Sequence, residues 1–233
     1  MTDNPIIVAL DVPTAEEAVR LAKSVAPAVA GFKIGLELLM GPGPATIGAL
    51  VRLDRPVFVD AKLHDIPNTV QAAATQLGKM GARWITVHAA GGLEQLEAAV
   101  EGLAGGAGGR EAGVLAITVL TSLSDADLAQ IGISGSTGRQ TARTAKLALR
   151  AGTEGVICSV RELGVVADAA AGLLRVTPGI RPAGTGADDQ KRVATPAEAI
   201  ERGADWLVIG RAITRAADPR AAAEDIAAGL ATR

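Results

Sequence analysis

The chain has 233 residues, of which 48% are apolar, 21% are charged and 2% are aromatic, and its formal net charge is −2. This composition is typical of a folded globular protein, and the lack of a basic excess and of aromatic rings argues against nucleic-acid binding. Cys158 is the single cysteine, which excludes an intrachain disulfide and leads us to expect a cytoplasmic location.

Short β-branched runs alternate with Ala- and Leu-rich amphipathic stretches along the chain. The predicted strands cover residues 6–10, 29–34, 56–62, 84–88, 113–119, 155–158, 173–177 and 206–209. The predicted helices cover residues 14–24, 36–53 with a break expected near 41–44, 67–80, a segment ending near 103, 125–131, 137–151, 160–170 and a last segment ending near 230. We expect residues 105–109 to form a loose connector, because they are rich in glycine.

Eight such β-then-α units within 233 residues predict a single (β/α)8 (TIM) barrel domain over residues 1–233. A doubly wound parallel sheet is the competing architecture, and the regular count without a domain break favours the barrel. The N-terminal residues lack the basic and apolar regions of a signal peptide, and no apolar run approaches the roughly 20 residues of a membrane span. We therefore expect neither export nor membrane association.

The third predicted strand ends in charged residues. Alternate side chains of a strand point to one face, so Asp60 and Lys62 should lie side by side at its carboxyl end. Asp65 follows on a short turn, and Pro67 suits the first turn of the next helix. A solvated ion pair at a strand end would produce the same pattern, so this stretch by itself does not decide between structure and chemistry.

Polar side chains recur at the carboxyl ends of the other predicted strands. In a barrel these ends share one mouth, which is where active sites of this fold lie. The residues concerned are Asp11, Lys33, Asp60, Lys62, His88, Thr121, Ser122, Arg181, Gly210 and Arg211. Their convergence predicts an active site, although each one alone could be a satisfied strand-end group.

The end of the eighth strand has the features of a phosphate site. Gly210 allows close approach of the backbone, a helix N-terminus follows, and Arg211 adds a bidentate donor. The alternative is a simple turn with a surface arginine. Residues 181–192 have the composition of a mobile lid, in which Arg181 and Gln190 could close onto a phosphate, or of an ordinary surface loop.

Metal and cofactor sites are not predicted. His64 and His88 are the only histidines, and no His, Cys and carboxylate cluster has the spacing of metal ligands. No glycine-rich dinucleotide or nucleoside-triphosphate motif is present. We expect Cys158 to be an inert core residue, and Trp84 and Trp206 to pack at the bottom of the barrel.

Seven short motifs, in chain order and at the expected strand ends, resemble those of the orotidine 5'-monophosphate decarboxylase family. They are Ala9-Leu10-Asp11, Phe32-Lys33-Ile34-Gly35, Asp60-x-Lys62-x-x-Asp65-Ile66-Pro67-Asn68-Thr69, Leu120-Thr121-Ser122, Pro178-Gly179-Ile180-Arg181-Pro182, Asp188-Asp189-Gln190 and Ile209-Gly210-Arg211. Related sugar-phosphate barrels share the Asp-x-Lys-x-x-Asp element, but the full set is specific.

The resemblance implies cofactor-free loss of CO2 from orotidine 5'-monophosphate to give UMP, the last step of de novo pyrimidine biosynthesis. Lys62 would stabilise and then protonate the carbanion left on the ring, with Asp60 as its counter-ion and close to the departing carboxylate. Lys33, Asp60, Lys62 and Asp65 would form an alternating charge array. Because the family takes this second aspartate from the neighbouring subunit, the resemblance implies a homodimer with shared active sites.

The resemblance also assigns the substrate contacts. Asp11 and Lys33 would bind the ribose hydroxyls, with Thr69 of the second subunit nearby. Thr121 and Ser122 would contact the pyrimidine edge, and Ile66 belongs to the same substrate-binding set. The residues assigned to the phosphate are Arg181, Gln190, Gly210 and Arg211.

Two other functions fit parts of the pattern. A related barrel could decarboxylate or condense sugar phosphates through a Mg²⁺-held enediolate, but that class needs a further acidic residue, typically on the second strand, where this chain carries Lys33 and a later Glu37. A catalytically inactive phosphate-binding barrel is the other alternative, and the presence of both Asp60 and Lys62 argues against it.

Overall fold

In a computed structural model, which describes residues 4–182 and 194–231, eight parallel strands close into a barrel in sequence order. The strands are β1 (Ile6–Ala9), β2 (Gly31–Ile34), β3 (Val57–Leu63), β4 (Trp84–His88), β5 (Gly113–Ile117), β6 (Gly155–Ile157), β7 (Leu174–Thr177) and β8 (Trp206–Ile209). Closure comes from β1, in which Ile7 lies opposite Gly31 of β2 on one side and Val208 of β8 on the other. The predicted TIM barrel is therefore confirmed.

Helices surround the barrel between successive strands. They are α1 (Ala15–Val25), α2 (Leu36–Met40), α3 (Ala45–Val51), α4 (Pro67–Lys79), α5 (Leu93–Ala107), α6 (Asp125–Gln130), α7 (Thr137–Arg150), α8 (Leu163–Ala169), α9 (Pro196–Glu201), α10 (Arg211–Thr214) and α11 (Pro219–Ala231). Short 3-10 turns cover Ala26–Ala28, Ala89–Gly91 and Val160–Glu162. The break expected near residues 41–44 separates α2 from α3.

The prediction of a loose connector at residues 105–109 is wrong for residues 105–107, because α5 continues to Ala107. Glycines in this helix permit close packing against α4. A Cβ on Gly102 would overlap the carbonyl oxygen of Gln71, and one on Gly106 would overlap that of Thr75. The glycines therefore serve contact between helices, and the helix ends only at Gly108, which has left-handed geometry.

No predicted helix covers α9, which lies between the last two strands. The signal was present, because Thr195 and Glu198 form a capping box and Pro196 occupies the first turn. The Thr195 hydroxyl accepts a hydrogen bond from the Glu198 amide at 3.2 Å. Each step from one strand to the next in the barrel thus includes a helix.

The apolar core has two parts. A smaller cluster fills the barrel interior and consists of Ile7, Ala9, Phe58, Trp84, Leu115, Val176 and Val208. The larger cluster, which is rich in Ala, Val, Leu and Ile, lies between the strands and the helices. The rings of Trp84 and Trp206 lie 5.4 Å apart, which confirms the packing role expected for both. Since side chains fill the barrel interior, a ligand site can open only at one end.

Among the described residues, the structure has no helix that is both long and apolar enough to cross a membrane.

Candidate active site

A cavity of about 590 Å³ opens at the carboxyl ends of the strands. Most of the residues predicted for the site line it, each positioned at or just after the end of its strand. Those residues are Asp11, Lys33, Asp60, Lys62, Thr121, Arg181, Gly210 and Arg211. The convergence expected from the sequence is therefore present in the fold.

Four of these side chains form a row of alternating charge. Lys33 Nζ lies 3.1 Å from Asp11 Oδ1 and 3.7 Å from Asp60 Oδ2. Lys62 Nζ lies 2.5 Å from the same Asp60 oxygen. Lys33 is only 8% exposed and Asp60 is also largely shielded, so solvent screens their interaction weakly, whereas Asp11 is exposed and its pairing with Lys33 is screened more. The row presents two cations and two anions to one cavity within a single chain.

The end of β3 departs from regular strand geometry. The pairing of β3 with β4 is regular at Val59 and shifts before Leu63. Within this irregular stretch Lys62 has a φ of 49°, in the left-handed region that residues with a side chain seldom adopt. Such conformations persist where the surrounding structure holds them, and they concentrate at functional sites. The expectation that Asp60 and Lys62 lie together is confirmed, but the strand segment that carries them is irregular and not a regular strand end.

Thr86 of β4 holds this irregular segment, and the sequence analysis missed it. Its hydroxyl donates a hydrogen bond to Asp60 Oδ1 at 2.8 Å and accepts one from the Lys62 amide at 2.9 Å. The side chain is fully buried. The available signal was a polar residue inside an otherwise apolar strand, two positions before His88 and therefore on the same face.

Asp60 is ionised more readily than an ordinary aspartate. Burial alone raises the pKa of its carboxyl, but the charges of Lys33 and Lys62 and hydrogen bonds from Lys62 and Thr86 outweigh that effect. The pKa of Asp60 therefore lies below its ordinary value. The cavity thus keeps a fixed negative charge between two lysines.

Within the part of the chain that the structure describes, three arginines line the cavity near the last strands. Arg181 and Arg211 were expected, and Arg215 was not. Arg215 lies four residues after Arg211, and this spacing places both on one side of a helical turn, which was the signal available in the sequence. Because α10 has only four residues, the arginines and not the helix dipole are the main attraction for an anion. Gln190 and the predicted lid at 181–192, apart from Arg181 and Pro182, lie outside the described residues.

Ser122 and His88 were expected at the mouth of their own barrel but do not line the cavity. Ser122 is exposed on the turn before α6. His88 ends β4 but faces His64, with the ring centres 5.3 Å apart. Burial, with the neighbouring His64 and Lys62, lowers the pKa of His88 below its ordinary value. A position at a strand end was therefore not sufficient for a place in the cavity wall.

Asp65, Ile66 and Thr69 are exposed and lie outside the cavity of their own chain. Asp65 and Ile66 lie on the turn before α4, Thr69 lies in the first turn of that helix, and hydrogen bonds connect the turn to β4. The Asp65 amide donates to Gln95 Oε1 at 3.1 Å, and Gln95 Nε2 donates to the His88 carbonyl at 2.7 Å. Gln95 is buried, so this link to β4 is protected from water. The segment is thus an outward-facing edge beside the cavity, connected to β4 through Gln95.

Over residues 4–182 and 194–231, no group of three or more His, Cys, Asp and Glu side chains could hold a metal ion. Cys158 lies in the core, as expected. Burial, and next the charge of Glu162, raises the pKa of its thiol to about 12. A thiol with this pKa remains protonated at neutral pH and is a poor nucleophile.

Comparisons with known proteins agree with this geometry. The sequence model of the orotidine 5'-phosphate decarboxylase / HUMPS family matches residues 4–226. Orotidine 5'-phosphate decarboxylase of Anaeromyxobacter sp. (strain K) is 52% identical over 226 residues, which cover 97% of each chain. The crystal structure of orotidine 5'-phosphate decarboxylase from Lactobacillus acidophilus is 37% identical, with a TM-score of 0.86 over 99% of this chain and 100% of that chain.

Proposed function

The chain belongs to the orotidine 5'-phosphate decarboxylase / HUMPS family, and on that premise we propose that it decarboxylates orotidine 5'-monophosphate to UMP and CO2. This reaction is the last step of de novo UMP biosynthesis, which we place in the cytoplasm. The observation that carries the proposal is the row Asp11–Lys33–Asp60–Lys62 at the mouth of the cavity. It supplies fixed charge at the point where the reaction develops charge.

The chemistry requires stabilisation of a carbanion. The bond between ring carbon 6 and the carboxylate carbon breaks, CO2 leaves, and the electron pair remains on carbon 6. The Lys62 ammonium stabilises this charge and then donates a proton to carbon 6, which gives UMP. The resulting amine takes a proton from water. Asp60, 2.5 Å from Lys62 Nζ, orients the ammonium throughout.

The rest of the cavity suits the nucleotide. Its volume of about 590 Å³ is in the range of small-molecule sites. We assign the phosphate to Arg181, Arg211 and Gln190, with Gly210 allowing close approach. We assign the ribose hydroxyls to Asp11 and Lys33. Binding energy from the phosphate, remote from carbon 6, can be used to lower the barrier there.

The pyrimidine edge lies at the loop after β5 in this assignment. Thr121 lines the cavity, whereas Ser122 is exposed on the same turn. We therefore assign Thr121 as the direct contact. Ser122 would join it through closure of the turn over the substrate, since substrate-induced closure of loops is a known step in enzymes.

We further propose a homodimer in which each active site takes Asp65, Ile66 and Thr69 from the second subunit. These residues lie outside the cavity of their own chain, and Ile66 is 65% exposed, which favours burial against a partner. The hydrogen bonds through Gln95 hold the edge in one conformation before association. A two-fold axis would bring two such edges onto two cavities at once.

A Mg²⁺-dependent sugar-phosphate decarboxylase or aldolase is the less favoured function. That chemistry needs a second carboxylate beside Asp60, and β2 instead presents the Lys33 ammonium, 3.7 Å from Asp60. A cation there opposes the binding of a divalent metal. We propose that catalysis uses neither metal nor organic cofactor.

The experiment is a spectrophotometric assay of orotidine 5'-monophosphate consumption by the purified protein, with and without EDTA. We expect equal rates in both conditions, with UMP as the product. Activity that disappears with EDTA and returns with Mg²⁺ would instead assign the protein to the sugar-phosphate class. No consumption of the nucleotide in either condition would contradict the proposed function.

A further inference from the structure

We propose that Thr86 is a positioning residue for decarboxylation, since its hydroxyl holds both the Asp60 carboxylate and the Lys62 backbone in their working geometry. The inference rests on the proposed function and extends it to a side chain that does not line the cavity. Thr86 lies on the neighbouring strand β4, so it supports the reacting residues from outside the cavity.

The hydroxyl of Thr86 acts both as a hydrogen-bond donor and as a hydrogen-bond acceptor. It donates its proton to Asp60 Oδ1 at 2.8 Å, and its oxygen accepts the Lys62 amide proton at 2.9 Å. Because a hydroxyl has one proton, the first bond fixes the direction of that proton and leaves the lone pairs for the second. One buried atom thus connects the two ends of the Asp60-x-Lys62 element.

The two carboxylate oxygens of Asp60 contact different partners. Oδ1 is held by Thr86, whereas Oδ2 faces Lys62 Nζ at 2.5 Å and Lys33 Nζ at 3.7 Å. With Oδ1 anchored, the carboxylate cannot rotate away from the two ammonium groups without losing a buried hydrogen bond. The orientation of the Asp60 carboxylate toward the two lysines is therefore fixed.

The second bond acts on the backbone. Lys62 lies where the β3–β4 register shifts, and its φ of 49° is costly for a residue with a side chain. The Thr86 hydroxyl accepts the Lys62 amide within this shift, so a side chain supplies the acceptor there. Release of this bond would let the backbone relax and would move Lys62 Nζ away from its position.

Small displacements of a reacting group have large effects on rate. A shift of about 1 Å can lower a rate by about a hundredfold. We expect binding through the phosphate to change little, because those of the residues assigned to the phosphate that the structure describes do not contact Thr86. The loss on removing the Thr86 hydroxyl should therefore appear in kcat and not in the affinity for UMP. If Thr86 had a purely structural role, removal of its hydroxyl would lower the stability of the protein without lowering kcat selectively over the affinity for UMP.

The test compares Thr86→Val, which has nearly the same shape but no hydroxyl, with Thr86→Ser, which keeps the hydroxyl. The control is Thr153→Val, because Thr153 is also buried and donates to a backbone carbonyl, that of Ala148 at 3.1 Å, outside the cavity. For each variant kcat, the Kd for UMP, the pH profile of kcat and the Tm are measured. Thr86→Ala provides a second hydroxyl-free variant, should Thr86→Val fail to fold.

We expect Thr86→Val to lower kcat by at least about tenfold while the Kd for UMP changes less than about threefold. Thr86→Ser should retain kcat to within about threefold of wild type. The acid limb of the kcat profile should move to higher pH in Thr86→Val, because Asp60 loses a hydrogen bond that favours its ionised form. Thr153→Val should lower the Tm and keep kcat.

Three outcomes would overturn the inference. They are a kcat for both hydroxyl-free variants close to that of wild type, a loss of kcat in Thr86→Ser as large as in Thr86→Val, or a similar loss in Thr153→Val. These results differ from failure of the proposed function, in which the wild-type protein itself would leave orotidine 5'-monophosphate unchanged.

Discussion

Lys62 Nζ lies 2.5 Å from Asp60 Oδ2, and the two residues are separated by a single alanine on the same strand. In a regular strand such side chains run parallel and stand several ångströms apart at their bases. Here the backbone at Lys62 is left-handed, and the long lysine side chain places its ammonium on the carboxylate. The pair therefore lies on a locally irregular segment of β3.

Lys62→Ala should abolish turnover while UMP still binds, because the change removes the cation and the proton donor but leaves the phosphate contacts. The measurements are kcat and the Kd for UMP. Lys23→Ala, at an exposed lysine on α1, is the control and should behave as wild type. A variant that keeps more than about a tenth of wild-type kcat, a loss of under ~1.4 kcal/mol, would remove Lys62 from this role.

The lowered pKa of Asp60 predicts how stability depends on pH. An unfolded aspartate titrates near pH 3.9, and the folded pKa lies lower, so the unfolded state takes up the proton first as pH falls. The stabilisation from ionised Asp60 is therefore complete above that range and is lost as pH falls through the folded pKa.

Urea denaturation of the wild type and of Asp60→Asn across this range tests the prediction. The difference between their free energies of unfolding should be constant above about pH 5 and should change in favour of Asp60→Asn as pH falls below about 4. A change in the opposite direction would mean that burial outweighs the two lysines and raises the pKa of Asp60.

Arg211→Ala should weaken use of the nucleotide more than use of the nucleoside that lacks phosphate. A charged hydrogen bond contributes about 1.5–3 kcal/mol, so kcat/KM for the nucleotide should fall about ten- to a hundredfold. Arg202→Ala, at an exposed arginine, is the control. Equal losses on both substrates would show that Arg211 is structural.

The shared active site can be tested by exchange of subunits. Lys62→Ala and Asp65→Ala should each be nearly inactive alone. After random exchange half of the dimers are hybrids, and each hybrid has one site with both defects and one intact site. The mixture should therefore recover about a quarter of wild-type activity per site.

A second mixture is the matched control. Asp60 and Lys62 meet within one chain, at 2.5 Å, so mixing Asp60→Ala with Lys62→Ala should restore nothing. If the Asp65 mixture also restores nothing despite verified exchange, Asp65 acts within its own chain and the shared-site proposal is wrong.

Gly106→Ala should destabilise the protein by about 1–3 kcal/mol, because the new methyl group would overlap the Thr75 carbonyl oxygen on α4. Gly105→Ala is a control in the same helix. A Cβ at Gly105 meets open space, and alanine there should stabilise by about 0.5–1 kcal/mol. Thermal unfolding of the two variants gives the comparison, and an equal effect at both positions would contradict the packing role of Gly106.

The order of the strands and the location of the site were predictable from the sequence for a local reason. The hydrophobic periodicity that distinguishes strands from helices depends only on residues close together in the chain. Eight repeats of one β-then-α unit then predict the barrel. Lys33, Asp60 and Arg211 could be assigned to the cavity because each comes at the end of its strand. The match to a family's motifs supplied the reaction, which periodicity alone does not.

The tertiary structure decided what depends on contacts between distant segments. Thr86 acquires its role from a hydrogen bond to Asp60 across two strands, and Gly106 lies so close to the Thr75 carbonyl of α4 that a Cβ would overlap it. His88 ends its strand like the others but turns toward His64. Local sequence determines which side chains come at the mouth of the barrel. The bulge in β3 and the packing of neighbouring strands determine where each side chain points, because these contacts join residues far apart in the chain.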